Sequence, residues 1–369
     1  MPEQIGLYLH IPFCKSKCSY CDFFSGAAKE ADYDEYTEKL KQAVAVWGDA
    51  APEKVKSVYF GGGTPSVLGT ERLCDILDTV KASFDITENA EITLEANPES
   101  GRLLDFAKLK SAGFDRLSVG LQSANNKELK TLGRIHTLDD AACTVKLAQE
   151  SGIDNISLDL MMGIPFQTKE SLKNSIDFCA ECGVKHISSY ILKLEKGTKL
   201  YSIKEQLALP DEDEQAELYL FAVEYLAKLG YEQYEISNFA FKGYESRHNT
   251  LYWQCGEYIG LGPSAHSFYH GRRFHFERNL QSFYDNITVG DGEGGSEEEY
   301  IMLSLRLKTG LVYDDYLKRF NKPLSPAVLS KIQSFARMGF MDADDKHACF
   351  TPKGFLVSNT LIVQLLDLI

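Results

Sequence analysis

The run HIPFCKSKCSYCDFF, residues 10–24, decides how the rest of the chain is read. Cys14, Cys18 and Cys21 stand in a C-x3-C-x2-C array. Thiolates at that spacing fit on one tight loop and can face one iron–sulfur cluster, whose irons are held by cysteine sulfur. A cubane has four irons, so three thiolates leave one open to a small molecule. The place for a fourth nearby thiol, two residues past Cys21, holds Phe23. Zinc fits less well, because a structural zinc site closes on four ligands and no His or Cys follows in step. The bland alternative is three unrelated buried cysteines, and the spacing and flanks argue against it.

Working outward, the loop follows IGLYLHI (5–11), the first of six apolar-rich stretches. VKSVYF (55–60), AEITLEAN (90–97), DRLSVGLQS (115–123), DNISLDLMMGIP (154–165) and KHISSYILKL (185–194) are the others. Amphipathic helical patterns separate them: YDEYTEKLKQAVAVW (33–47), a stretch from about Thr70, LLDFAKLKSAG, KELKTLG with LDDAACTVKLAQESG, and KESLKNSIDFCAECG. Strands alternating with helices make parallel β/α units. The fold expected is α/β, an open partial (β/α)6 barrel rather than the closed eight-stranded form. Barrels of this kind carry their chemistry at the carboxyl ends of the strands. The unusual residues fall there: the cysteine loop after the first strand, Gly61-Gly62-Gly63-Thr64-Pro65 after the second, Glu95, Gln122 and Asp159 in the next three.

Beyond Pro210 the acidic run DEDEQAE opens a long helix to Leu229, as suits a helix N-terminus. An aromatic-rich segment runs from Tyr231 to about Tyr284, and VGDGEGGSEEE (289–299) reads as a flexible joint. Helical patterns near 297–308, 313–319 and 326–338, then a hairpin in FMDADDKHACFTPKGFL and a closing helix, describe a smaller, mainly α, winged-helix-like domain. The expected units are a barrel over 1–230, an aromatic and His-rich extension packed on it over 231–288, and a C-terminal domain over 289–369. The acidic DADD loop and the lack of a basic recognition helix favour a structural role for that domain over DNA binding.

Composition narrows the function classes. The 369 residues carry a formal net charge of −14, which argues against nonspecific nucleic-acid binding. Nine cysteines, an odd number in a long chain, do not form a disulfide framework and suit a reducing cytoplasm. The opening MPEQIGLYLHIPF lacks a basic n-region with a long apolar core, so no signal peptide is expected. No apolar run is long enough to span a bilayer, and peripheral membrane contact stays compatible with the sequence.

Each singled-out residue has a plain reading beside the functional one. Three glycines between strand and helix let a ligand approach backbone closely, or simply make a turn. No G-K-S/T follows them, so this is not a Walker A loop. Glu95, Gln122 and Asp159 are either ordinary strand-end polar residues or three inward groups suited to ribose hydroxyls and amines. Arg134 in LGRIHT is a solvated helix charge or a carboxylate partner. Cys179 and Cys182 read as a packed helix face. The segment RHNTLYWQCGEYIGLGPSAHSFYHGRRFHFERN gathers His248, His266, His270 and His275 with aromatics, Arg272 and Arg273. It is an aromatic core, or a porphyrin surface in which a His ligates haem iron and arginines pair with propionates.

Together, HIPFCKSKCSYCDF, YFGGGTPS, LEANP, VGLQS, GRIHT and LDLMMGIPFQT resemble the oxygen-independent coproporphyrinogen III oxidase family of radical S-adenosylmethionine (SAM) proteins, over nearly the whole chain. The resemblance implies a [4Fe–4S] cluster on Cys14, Cys18 and Cys21, with SAM chelating the open iron through its amino and carboxylate groups. The tri-glycine resembles the motif that grips the SAM amino group. Tyr8 and Glu95 would contact cluster-bound SAM. Tyr20, Gly62, Gly63, Thr64, Gln122, Arg134 and Asp159 match positions that hold a second SAM in the oxidase. The oxidase branch carries a further cysteine where Phe23 stands here, and the haem-chaperone branch carries H-N-x-x-Y-W, here His248 to Trp253. Both features resemble the chaperone branch. That implies haem binding, with His248 as ligand, and delivery to acceptor proteins, membrane respiratory enzymes among them. A homodimer in which cluster and haem surface share an interface is compatible with this reading. The alternative is an enzyme in the same fold, decarboxylating the propionates of coproporphyrinogen III.

Overall fold

A computed structural model describes residues 4–369 of the chain. Six strands run parallel and in sequence order: β1 (Ile5–Ile11), β2 (Val55–Gly62), β3 (Ile86–Ala96), β4 (Arg116–Gln122), β5 (Asn155–Met162) and β6 (His186–Ile191). Helices Glu30–Ala50, Thr70–Ser83, Phe106–Ala112, Leu138–Glu150 and Lys169–Glu181 lie between them in the chain. The partial (β/α)6 barrel read from the sequence is the observed core.

Alternation along each strand explains how this core carries a polar interior. On β4, Leu117, Val119 and Leu121 belong to the apolar core, while Arg116, Ser118, Gly120 and Gln122 line an internal cavity. On β5, Ile156, Leu158 and Leu160 are core, and Asp159 and Met161 face the cavity. A period of two sends one set to each side of the sheet. All of β4 is buried, which is why it reads as an apolar run with polar interruptions. The helix starts are well specified. Thr137, Thr168 and Asp211 each form a reciprocal capping box, and the acidic run after Pro210 caps the helix Glu212–Lys228 as expected.

The sheet does not stop at six strands. β7 (Glu232–Gln233) and β8 (Asn238–Ala240) extend it antiparallel beyond β6. On the other side β9 (Tyr258–Leu261) joins β1 in parallel, followed by antiparallel β10 (His266–Tyr269), β11 (Arg272–Phe276) and β12 (Thr288–Glu293). The order is β12-β11-β10-β9-β1-β2-β3-β4-β5-β6-β8-β7. The stretch read as a flexible joint at 289–299 is therefore largely structured. Its first half is β12, and Ser296 caps the helix Glu297–Ser304. Every residue of β12 is exposed, so no apolar alternation marks it, and an edge strand tolerates its glycines.

The C-terminal region has the order of a winged helix. Helices Tyr313–Phe320 and Pro326–Arg337 precede a hairpin of β14 (Met341–Ala343) and β15 (His347–Phe350), joined by the short β13 (Leu311–Val312). Backbone bonds from Ile236 N–H to the Arg306 carbonyl, 3.0 Å, and from Lys308 N–H to Tyr234, 2.8 Å, tie this region to the β7–β8 turn. Among the described residues no helix is long and apolar enough to cross a membrane.

Candidate metal and cofactor centre

The cysteine loop is fastened at both ends. Cys14 N–H donates to the Gly26 carbonyl (2.9 Å) and Gly26 N–H returns to Pro12 (3.0 Å). Ser19 N–H donates to Leu132 at 2.9 Å, and Ser19 accepts from Leu200 N–H at 2.7 Å. His10 extends the anchorage: Nδ1 meets the Tyr8 hydroxyl at 3.1 Å and Nε2 the Phe24 carbonyl at 3.0 Å. Burial pushes the His10 pKa down to about 4, so the ring is a neutral strut.

All three cysteines line one cavity of about 610 Å³ at the carboxyl ends of the strands. That size suits a small-molecule or cofactor site. Tyr20, Gly62, Gly63, Thr64, Glu95, Gln122, Arg134 and Asp159 line it with them. The thiols already have polar partners. Thr64 Oγ1 donates to Cys14 Sγ at 3.3 Å and is itself fixed by Asn97 Nδ2 at 3.0 Å. Arg134 Nη1 donates to Cys18 Sγ at 3.3 Å, and Nη2 donates to the Gly120 carbonyl. Burial works against the Arg134 charge, but the Tyr20 hydroxyl and Cys18 thiol beside it hold the guanidinium protonated. Among the described residues no other cysteine lines the cavity, and Phe23 stands at its rim, 68% exposed.

Two backbone positions accommodate this crowding. Gly62 has φ +111°, and a Cβ there would meet the His10 ring at 2.6 Å. At Gly120 a Cβ would fall on the Arg134 guanidinium, so only glycine leaves the arginine its place. Gln122 also sits in the left-handed region, φ 68°, at a register shift between β4 and β5. Its Oε1 accepts from Tyr190 at 2.8 Å. Strain of this kind persists where the surroundings over-determine it, commonly at ligand sites.

Carboxylates complete the wall. Glu95 accepts from Tyr59 at 2.7 Å and from Gly62 N–H at 3.2 Å, yet burial raises its pKa to about 7, with Asp159 adding to the rise. Burial also raises Asp159, against hydroxyl donation from Ser118 (3.1 Å) and Ser157 (3.1 Å). Arg116 lines the inner part of the cavity, 2% exposed, and its Nε and Nη1 find no hydrogen-bond partner. Tyr59, Asn97, Arg116, Gly120 and Tyr190 join the wall beyond the residues that the sequence singles out. Their inward alternation with core residues, and a glycine inside a strand, were the available signals.

Two expected site residues lie elsewhere. Tyr8 is not in the cavity wall; its ring packs on Tyr59, centroids 6.2 Å apart. His248 is enclosed, 1% exposed. Ser57 Oγ meets its Nδ1 at 2.8 Å, Tyr252 OH meets Nε2 at 2.7 Å, and Tyr59 stacks on the ring at 5.0 Å. Burial pushes its pKa down to about 3. Both ring nitrogens are spent inside the protein, so in this conformation neither is free for iron.

Three cysteine sulfurs on one cavity wall fit a [4Fe–4S] cluster with one iron free of protein thiolate. The remaining wall offers paired carboxylates, an arginine with an unpartnered buried Nε, and exposed backbone, a set that suits a zwitterionic nucleoside. A partial barrel with this centre is the architecture of a radical SAM protein. The Radical SAM superfamily model matches residues 8–179, and that of the HemN C-terminal domain matches residues 298–357. The haem chaperone HemW of Lactococcus lactis subsp. lactis is 32% identical over 373 residues, spanning 97% of this chain and 96% of the relative. HemW of Escherichia coli is 39% identical over 269 residues, 71% of this chain and 69% of that protein. The chain belongs to the HemW family within the radical SAM superfamily. In fold it is similar to the structure of E. coli coproporphyrinogen III oxidase (HemN), with a TM-score of 0.83 and 21% identity over 99% of this chain and 90% of that one. Superfamily membership implies a [4Fe–4S] cluster and SAM.

Proposed function

We propose that this protein is a cytoplasmic haem chaperone that holds a [4Fe–4S] cluster on Cys14, Cys18 and Cys21, binds SAM beside it, and passes haem to acceptor proteins. The name carried by its relatives, haem chaperone, supports this, and so does Phe23 at the rim where the oxidase branch has a cysteine. The observation that carries the cofactor part is the cavity itself, with three cysteines and no fourth.

When bound, the cluster with SAM supplies one-electron chemistry. The chain's own residues bind and orient. The three thiolates would hold the cluster, and Thr64 and Arg134, which donate to two of the sulfurs, would offset its negative charge in a partly enclosed site. Arg134 would pair with the SAM carboxylate, and Glu95, Gln122 and Asp159 would accept from its amine and ribose hydroxyls. Haem would pack against the aromatic and His-bearing extension from His248 onward. His248, the motif's imidazole, reaches iron only by giving up Ser57 or Tyr252.

The test is anaerobic. Cluster-reconstituted protein is given SAM, reductant and coproporphyrinogen III, and mass spectrometry follows decarboxylated product; haem is then titrated and its transfer to an apo-acceptor followed. Haem uptake and transfer without decarboxylation is the expected result. Substrate-dependent decarboxylation would make the protein an oxidase.

A further inference from the structure

Away from the cysteine cavity, the edge of the sheet gathers three metal-ligating side chains from three strands. His266 on β10 lies directly opposite His275 on β11, and their rings stack at 4.9 Å, 27° from parallel. The third comes through an irregularity in β12. Gly290 pairs with Phe274 and Gly292 with Arg273, so Asp291 is an extra residue, bulged out of the ladder. Gly292, with φ +104°, permits that turn. The bulge brings the Asp291 carboxylate to 2.9 Å from His275 Nδ1 and 3.6 Å from His266 Nδ1. One ligand atom from each residue lies within 4.8 Å of the other two.

One carboxylate serves two imidazoles, His275 at 2.9 Å and His266 at 3.6 Å. Two stacked imidazoles sharing one carboxylate repel each other if both are protonated. A neutral pair instead offers nitrogen lone pairs to a cation. A competing charge on this face, Arg273, is already engaged by Glu299 at 2.5 Å and lies over the Phe268 ring at 4.6 Å. Strand β12 buries none of its residues, so apart from the backbone ladder it has little to hold it in place.

We propose that His266, His275 and Asp291 bind a divalent first-row transition ion of the Zn2+ class, which clamps β12 onto β10 and β11. Imidazole nitrogen and carboxylate oxygen are suitable ligands for such an ion, and the fourth position is left to water. Tetrahedral bonds of about 2.0–2.1 Å set neighbouring donors about 3.3 Å apart, so the 2.9 Å pair opens slightly and the 3.6 Å pair closes slightly, at side chains that are partly or largely exposed. The proposal does not depend on haem binding.

The experiment uses full-length, cluster-loaded protein without haem, dialysed against Zn2+, with bound zinc counted and its ligands read by X-ray absorption. The expected result is one zinc per chain with a nitrogen and oxygen shell at about 2.0–2.1 Å and no sulfur at about 2.3 Å. His266→Ala with His275→Ala abolishes it, and Asp291→Asn weakens it at least tenfold; both variants keep the cluster absorption. Hydrogen exchange across 288–293 slows when zinc binds. Zinc uptake unchanged in the double variant, a sulfur shell, or no uptake by the unmodified protein would each overturn the assignment.

Discussion

Two places in this molecule gather buried polar side chains that resemble ligand sites in sequence, and they have opposite characters. At the mouth of the barrel, Cys14, Cys18, Cys21, Arg134 and Glu95 surround open space. At His248 the same density of polar atoms is closed, with Ser57, Tyr252 and Tyr59 enclosing the ring. The difference is unspent bonding capacity. Arg134 Nε and two guanidinium nitrogens of Arg116 lack partners, whereas both nitrogens of His248 have one. A buried polar group left without a partner costs about 1–3 kcal/mol, and a bound ligand can recover that.

The comparison can be broken most directly at the cysteines. Replacing Cys14, Cys18 and Cys21 together by Ala abolishes the cluster absorption near roughly 400 nm and SAM binding with it; a full cluster persisting in that variant would sink the metal assignment. Next in size is a pH effect at Glu95. Its folded pKa, about 7, lies above the ordinary carboxyl value of 4.5, so the folded protein binds more protons between those values and loses stability as pH rises through them. Glu95→Gln should therefore gain stability relative to the parent from pH 4.5 to about 7, by about 3 kcal/mol at most. Denaturant titrations of both proteins without SAM would check this, and a flat difference would show that Glu95 is solvated.

Smaller effects sharpen the contrast. Arg134→Ala removes a charge-assisted donor worth about 1.5–3 kcal/mol, so SAM affinity should fall about 10- to 100-fold by calorimetry while the cluster is retained. At His248 the informative change is Tyr252→Phe, which frees Nε2 at a cost of about 0.5–1.5 kcal/mol. If His248 ligates haem, haem affinity rises about 2- to 10-fold; an unchanged value places the iron elsewhere.

Much of the barrel was legible because parallel strands buried on both faces read as apolar runs, and β1, β4 and β5 fall where those runs predict. The strand-end residues were legible for a related reason, since a lone Glu, Gln or Asp stands out in such a run. Tyr59 and Tyr190 did not stand out, because an inward tyrosine and a core tyrosine look alike in sequence. Gly120 shows its purpose only once Arg134 from the next loop is placed over it. His248 was opaque because its partner Ser57 is 191 residues away. The glycines of β12 suggested a joint, where the structure uses Gly292 for a bulge in a paired edge strand.

The parallel pairing of β1 with β9 has a consequence for the order of assembly. The strand that launches the cysteine loop is synthesised well before the strand that flanks it opposite β2, which begins at Tyr258. At roughly 5–20 residues per second, about 10–50 s of synthesis separate the two. Glu91 likewise waits for the backbone N–H groups of Arg247 and His248, at 3.0 and 3.1 Å. The three thiols are therefore made well before the strand and backbone groups that complete their setting.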